Sequence, residues 1–110
     1  MERFISGYLE CAPWSSGEEF DGACFAEETL AVMHKDCEAF YIENQDAINC
    51  EGSPGDTRAG HDFWLTRNGH GAGFWDGDWP EPTATQLTEA SKRYREVDLY
   101  LGDDGLIYQS

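Results

Sequence analysis

Positive charge is what this chain has least of. Seven Lys and Arg stand against 22 Asp and Glu in 110 residues, for a formal net charge of -15. A surface this acidic repels phosphate, which argues against direct binding to nucleic acid or to an anionic membrane. Long apolar runs are also missing, and none approaches the roughly 20 residues that a membrane-spanning helix needs. Met1-Glu2-Arg3-Phe4 lacks the basic segment and apolar stretch of a secretory signal, so a cytoplasmic protein is expected. No C-x-x-C pair, H-E-x-x-H frame, Walker loop, G-x-S-x-G elbow or G-x-G-x-x-G fingerprint occurs. Internal repeats and low-complexity tracts are absent as well.

What is present suffices for one compact core. Hydrophobic residues make up 40% and aromatics 14%, which suits a single domain over residues 1–110 and argues against a disordered chain. A net charge of about 2–8 in magnitude keeps a small domain soluble, so the excess here asks for an electrostatic role. Treated as a sphere, a domain of this length has a diameter of roughly 34 Å, a span in which duplex DNA carries about 20 phosphates. The charge is uneven. Residues 1–56 hold thirteen acids against Arg3 and Lys35, whereas residues 57–110 hold nine acids against five bases. Gly52-Ser53-Pro54-Gly55 separates an acidic, mainly helical half from a half that reads as hairpin, helix, hairpin.

The segment Arg3–Ala12 fits either a helix face through Phe4, Ile5, Tyr8 and Ala12 or a strand; helix is preferred, ended by Pro13. Residues 15–21 read as loop. Leu30, Met33, Cys37, Phe40, Tyr41, Asn44 and Ile48 then recur at helical spacing. Glu27 and Glu28 in the first turn suit the helix dipole, and Gly52 and Pro54 stop the element. At 100° per residue, Glu28, Asp36, Glu43 and Asp46 project away from this stripe, as an acidic ridge about 27 Å long. Glu18, Glu19 and Asp21 extend the ridge from the preceding loop. His61–Thr66 reads as a strand, Asn68-Gly69 as a turn and Gly71–Trp75 as its returning partner. A helix follows over about 84–94, capped by Thr83 with Gln86 completing a capping box. Val97–Leu101 and Leu106–Tyr108 flank Gly102-Asp103-Asp104-Gly105, which signals a second hairpin. The expected fold class is α+β, with about three helices packed on a small antiparallel sheet of short hairpin strands.

Two groups of residues could carry chemistry. Cys11, Cys24, Cys37 and Cys50 lie thirteen residues apart; without a secretory signal they read as reduced structural thiols, with Cys37 in the helix stripe. His61, Asp62, His70, Asp76 and Asp78 fall in one expected hairpin, where imidazole and carboxylate could bind a metal or work as general acid and base. The hairpin lacks the frame of a recognised metal site, and hydrogen bonding that fixes the turn accounts for these residues more simply. No cofactor and no metal is expected.

The run Ala59-Gly60-His61-Asp62-Phe63-Trp64-Leu65-Thr66-Arg67-Asn68-Gly69-His70-Gly71-Ala72-Gly73-Phe74-Trp75-Asp76 resembles a segment of small bacteriophage and prophage proteins. Leu87–Lys92 and Val97–Gly105 look like the rest of that family, so the resemblance covers most of residues 59–108. The chain as a whole is similar to anti-CRISPR proteins that act on type I-C systems. That resemblance implies a monomeric inhibitor in the host bacterial cell. It would mimic DNA and occupy the surface of the Cascade large subunit that recognises the protospacer-adjacent motif (PAM). It defines no binding residue by motif; Glu18, Glu19, Asp21, Glu28, Asp36, Glu43 and Asp46 follow from the charge and helix argument alone. The expectation is therefore a non-enzymatic acidic inhibitor of a nucleic-acid-binding host defence protein. The alternatives are a small metal-dependent or His/Asp enzyme centred on the 61–78 hairpin, and a phage structural or adaptor protein.

Overall fold

The computed structural model describes residues 1–110. Four helices dominate it: α1 (Glu2–Ser16), α2 (Glu27–Ile48), α3 (Asp56–Arg67) and α4 (Thr83–Lys92). A 3-10 turn, Glu18–Phe20, joins the first two, and two three-residue strands, β1 (Leu99–Leu101) and β2 (Ile107–Gln109), close the chain. The expected three helices on a sheet of hairpins are therefore corrected to a four-helix packing with one small two-stranded sheet.

The correction falls on residues 56–75. The run read as a strand from His61 to Thr66 is the second half of α3, and no strand returns over 71–75. Within α3, Ala59, Phe63, Thr66 and Arg67 are buried at helical spacing, with Gly60 and Trp64 beside them. Two glycines let this helix pack directly on α1. A Cβ on Gly60 would collide with the Phe4 carbonyl oxygen, and one on Gly7 would collide with the Thr57 carbonyl oxygen. Both helices thus meet backbone to backbone, an approach only a residue without Cβ permits. The pairing buries Phe4, Tyr8, Phe63 and Trp64.

Other boundaries move for local reasons. Helix α1 runs past Pro13 to Ser16. Proline costs a hydrogen bond to the carbonyl four residues back, but here it sits in the last turn, where the Ser16 hydroxyl donates to the Ala12 carbonyl at 2.6 Å. Helix α2 matches the apolar stripe, with Met33, Cys37, Phe40, Tyr41 and Ile48 buried. Asn44 leaves helical geometry (φ -117°, ψ 17°), and its side-chain amide donates to the Phe40 carbonyl at 2.9 Å. Thr83 does not cap α4; it is buried. The cap comes from Glu81, whose carboxylate accepts from the Thr85 amide at 2.9 Å. The second hairpin stands where its turn residues place it, with Tyr100 opposite Tyr108 and Gly105 at φ 78°.

One aromatic core ties the helices together. Phe40 of α2 stacks on Phe63 of α3 with centroids 4.0 Å apart, and Phe4 of α1 stacks on Phe40 at 5.8 Å. Tyr94, just beyond α4, meets Phe40 and Phe63 edge-on. Aromatic pairs of this kind contribute about 0.5–1.5 kcal/mol each beyond their buried area. Phe74 in the 68–82 loop fills the remaining side of Phe40 and packs on Trp79. The molecule is elongated, 44 × 25 × 22 Å, and no helix is long and apolar enough to cross a membrane.

Candidate functional site: an unpaired acidic end

Every acid in the chain except Asp36, Asp56 and Asp62 is exposed. The scarce bases are distributed differently. Arg67 is buried, its guanidinium donating to the Asp36 carboxylate at 2.9 Å, to the Tyr8 hydroxyl at 3.1 Å and twice to the Arg95 carbonyl. It also lies over the rings of Phe63 and Tyr94. Arg58 is held by Asp62, Asp76 and Asp78, which pins the 68–82 loop to α3. Lys92, Arg93 and Arg95 gather at the end of α4, leaving Arg3 and Lys35 as the only isolated exposed bases.

This distribution divides the expected ridge. Glu28, Glu43 and Asp46 are exposed on α2, whereas Asp36 pairs with Arg67 and keeps only 28% of its side-chain exposure. Arg93 lines the groove between α2 and α4 together with Glu43 and Asp46 without forming an ion pair to either, and Arg95 shares a recess with Asp36. The outward face of α2 also carries Val32, Lys35 and Ile42, the last 65% exposed. Val32, Lys35 and Ile42 thus lie between Glu28 and the Glu43–Asp46 pair along the helix.

The turn after α1, the start of α2 and the hairpin carry a second set of exposed acids, although Arg93 and Arg95 share a recess with Gln109 and Ser110 at the end of β2. Glu18 and Glu19 lie in the 3-10 turn, with Asp21 directly after it. Phe20 and Asp98 line one shallow recess, so this turn adjoins the start of β1. Glu27 and Glu28 open α2 alongside β2: the Ala26 amide donates to the Ile107 carbonyl at 3.0 Å, and the Thr29 hydroxyl donates to the same carbonyl at 2.9 Å. The hydrogen bond to Asp104 raises the pKa of the Tyr108 phenol, and the Glu28 carboxylate adds a smaller push in the same direction. Asp103 and Asp104 stand on the hairpin turn. None of Glu18, Glu19, Asp21, Glu27, Glu28, Asp98, Asp103 and Asp104 has a cation of this chain within ion-pair distance. Three neighbouring segments thus carry exposed carboxylates without an ion pair, as Glu43 and Asp46 also do on α2. Glu27, Asp98, Asp103 and Asp104 were missing from the sequence-derived set, although the exposed turn that carries two of them was readable from its Gly-Asp-Asp-Gly signature.

The histidine and aspartate residues do not form the hairpin site that the alternative enzyme reading requires. His61 faces α1, with its Nε2 3.8 Å from the Glu10 carboxylate. His70 lies beyond the end of α3, in the recess it shares with Ser15, Phe20 and Asp98. Asp62 is buried, accepts from the Trp79 indole N–H at 2.7 Å and faces Arg58. Burial pushes its carboxyl pKa above the usual range, partly offset by the Trp79 bond and by Arg58. Its partners are those of a loop anchor. All four cysteines are free thiols. Cys37 is in the core, where desolvation raises its pKa, and burial pushes Cys11 up to about 11, so both are poor nucleophiles.

Comparison with protein families, curated proteins and solved structures gives no match.

Proposed function

We propose that this protein is an inhibitor that competes with DNA for the binding surface of a nucleic-acid-binding host protein. In line with the resemblance of its sequence, the target is the PAM-recognition surface of the Cascade large subunit in a type I-C system. The observation that carries this reading is that Glu18, Glu19, Asp21, Glu28 and the hairpin carboxylates are all exposed with no base of the chain paired to them.

The chemistry is substitution of carboxylate for phosphate. A DNA-binding groove is lined with Lys and Arg, and carboxylate oxygens accept their hydrogen bonds as phosphate oxygens do. The elongated shape adjusts the charge comparison. Along 44 Å, both strands of a duplex carry about 26 phosphates and a single strand about 13. The net charge of -15 therefore corresponds to one strand, the part of a duplex that a groove follows, and not to the whole double helix. Long-range attraction of this kind accelerates encounter and displaces DNA without any chemical step.

The test is fluorescence anisotropy of a labelled PAM-containing duplex on purified type I-C Cascade, titrated with this protein. Competition requires the apparent Kd for DNA to rise in proportion to protein concentration. A ternary complex with unaltered DNA affinity refutes the proposal.

A further inference from the structure

The hairpin has one open edge. In the antiparallel pair, Tyr100 and Tyr108 face each other, and the flanking bonds run between Asp98 and Ser110 and from the Gly102 amide to Leu106. Strand alternation therefore turns the amide and carbonyl of Leu99 and of Leu101 away from β2. The sheet has only two strands, and no other segment of the chain bonds these groups. The far edge of β2 is already taken: the Ile107 amide donates to the Cys24 carbonyl at 2.8 Å, and its carbonyl accepts from Ala26. Natural proteins blunt or cover such edges because they template pairing with another chain.

The surroundings of this edge define what fits it. Tyr100 is 50% exposed and stacks on Tyr108 with centroids 5.7 Å apart and planes 20° from parallel. Leu101 beside it is 40% exposed. The two rings line a recess of about 370 Å³ with Gly102, Asp103 and Asp104. A Cβ on Gly102 would lie 2.5 Å from the Tyr108 ring, so glycine keeps that recess open. The Tyr108 hydroxyl donates to Asp104 at 2.7 Å, while Asp103 makes no hydrogen bond or ion pair within the chain.

We infer that β1 and its tyrosine pair form the docking edge for an extended, arginine-bearing segment of a basic protein partner, which joins the sheet as a third strand. The inference rests on the proposed function, since it names the surface by which that inhibitor would grip its target. Main-chain bonds to Leu99 and Leu101 supply register-specific affinity. A guanidinium over the exposed Tyr100 ring gains a cation–π contact, and its fork can pair with the Asp103 carboxylate. Lysine offers the charge without the planar fork. A second copy of this chain is a poor occupant, because it brings another -15 to the same surface.

The experiment titrates the ¹⁵N-labelled full chain with an eight-residue peptide of alternating Arg and Val, followed by amide chemical shifts. The largest shifts are expected at Leu99, Tyr100 and Leu101. Replacing Arg by Lys in the peptide should weaken binding at least fivefold. N-methylating the peptide amides that face β1 should abolish binding, a result independent of any change in this chain. Tyr100→Ala should weaken binding at least fivefold and Tyr100→Phe should restore it, whereas Glu43→Gln with Asp46→Gln at the other end should leave it within twofold. Equal affinity for the Arg, Lys and N-methylated peptides, or shifts spread evenly over all exposed acids, would overturn the inference. Edge binding without DNA competition on Cascade would refute the inhibitor reading alone; competition by a protein that ignores the peptide would refute the docking edge alone.

Discussion

Arg67 Nη1 lies 2.9 Å from the Asp36 carboxylate, and the Arg67 side chain retains only 4% of its exposure. This pair joins the end of α3 to the middle of α2, and the same guanidinium reaches Tyr8 of α1 and the Arg95 carbonyl after α4. One side chain thus holds four segments through five polar and aromatic partners. It also withdraws a base from the surface and neutralises a half-buried carboxylate. A buried ion of this kind contributes little when fully paired but costs much when one partner is removed. Arg67→Ala is therefore expected to destabilise the protein by about 3–5 kcal/mol, since Asp36 and the Arg95 carbonyl lose their donor. Asp36→Asn keeps an acceptor at a partly exposed site and should cost less, about 1–2 kcal/mol. Urea unfolding followed by Trp fluorescence measures both, and equal losses would show that Arg67 is not the hub.

The backbone contact between α1 and α3 makes a sharp steric prediction. Gly60→Ala places a methyl group against the Phe4 carbonyl oxygen, and forcing the helices apart should cost about 1–3 kcal/mol. Gly71 has open space around its Cβ position and no positive φ, so Gly71→Ala should be neutral or slightly stabilising. A differential scanning calorimetry series that ranks the two variants alike would refute this account of the α1–α3 contact.

Charge reversal at the acidic end separates binding from folding. Glu18, Glu19 and Glu28 are exposed and unpaired, so each reversal to Lys should alter stability by no more than about 0.5 kcal/mol. The triple variant should raise the concentration needed to displace DNA from Cascade at least tenfold, while Glu43→Lys with Asp46→Lys should have a smaller effect. Asp36→Lys, in contrast, places a cation against Arg67 and should fail in the unfolding assay first.

Electrostatic steering has its own signature. The association rate with Cascade should fall steeply between low and physiological salt, because exposed charges are screened beyond about 8–10 Å at 0.1–0.15 M. The dissociation rate should change less. Stopped-flow measurement of both rates checks this, and an association rate independent of salt would exclude charge-led encounter.

The Asp62 carboxyl predicts a pH effect of defined sign. Burial raises its folded pKa above the unfolded value, so the folded state binds the proton more tightly than the unfolded chain does. Stability contributed by this group therefore increases as pH falls through the folded pKa towards the unfolded value, and is lost again as pH rises. Asp62→Asn can still accept from Trp79 but cannot titrate. The stability of the native protein relative to that variant should rise on acidification from pH 7 towards the unfolded carboxylate value. A constant difference in parallel urea titrations would show that Asp62 does not titrate in this range.

Several elements were legible from residues alone because local pattern and global packing agree there. The stripe from Met33 to Ile48 gives α2, and Gly102-Asp103-Asp104-Gly105 gives the hairpin. Helix α3 was not legible: His61–Thr66 has the aromatic and branched composition of a strand, and the helix is packed through the meeting of Gly60 with Phe4 and of Gly7 with Thr57, contacts across about fifty residues. The 68–82 loop escaped for a similar reason, since Arg58 and Asp62 hold it from α3 through Asp76, Asp78 and Trp79. Among the site residues, the exposure of Glu18, Glu19, Asp21, Glu28, Glu43 and Asp46 was readable from polarity and helix phase. The pairing of Asp36 with Arg67 was not, because it depends on which flank of α2 the end of α3 and residues 93–97 cover.

Composition by itself determined that this protein carries a large excess of negative charge and that most of it meets solvent, since unpaired carboxylates are too costly to bury. Tertiary structure alone decided where that charge stays uncompensated. It drew Arg67 inward, tied Arg58 to Asp62, Asp76 and Asp78, collected Lys92, Arg93 and Arg95 at the end of α4, and left the acids of the turn after α1, the start of α2 and the hairpin without an ion pair. The physical reason is that a buried ion needs a partner brought to it by packing, whereas an exposed one needs only water.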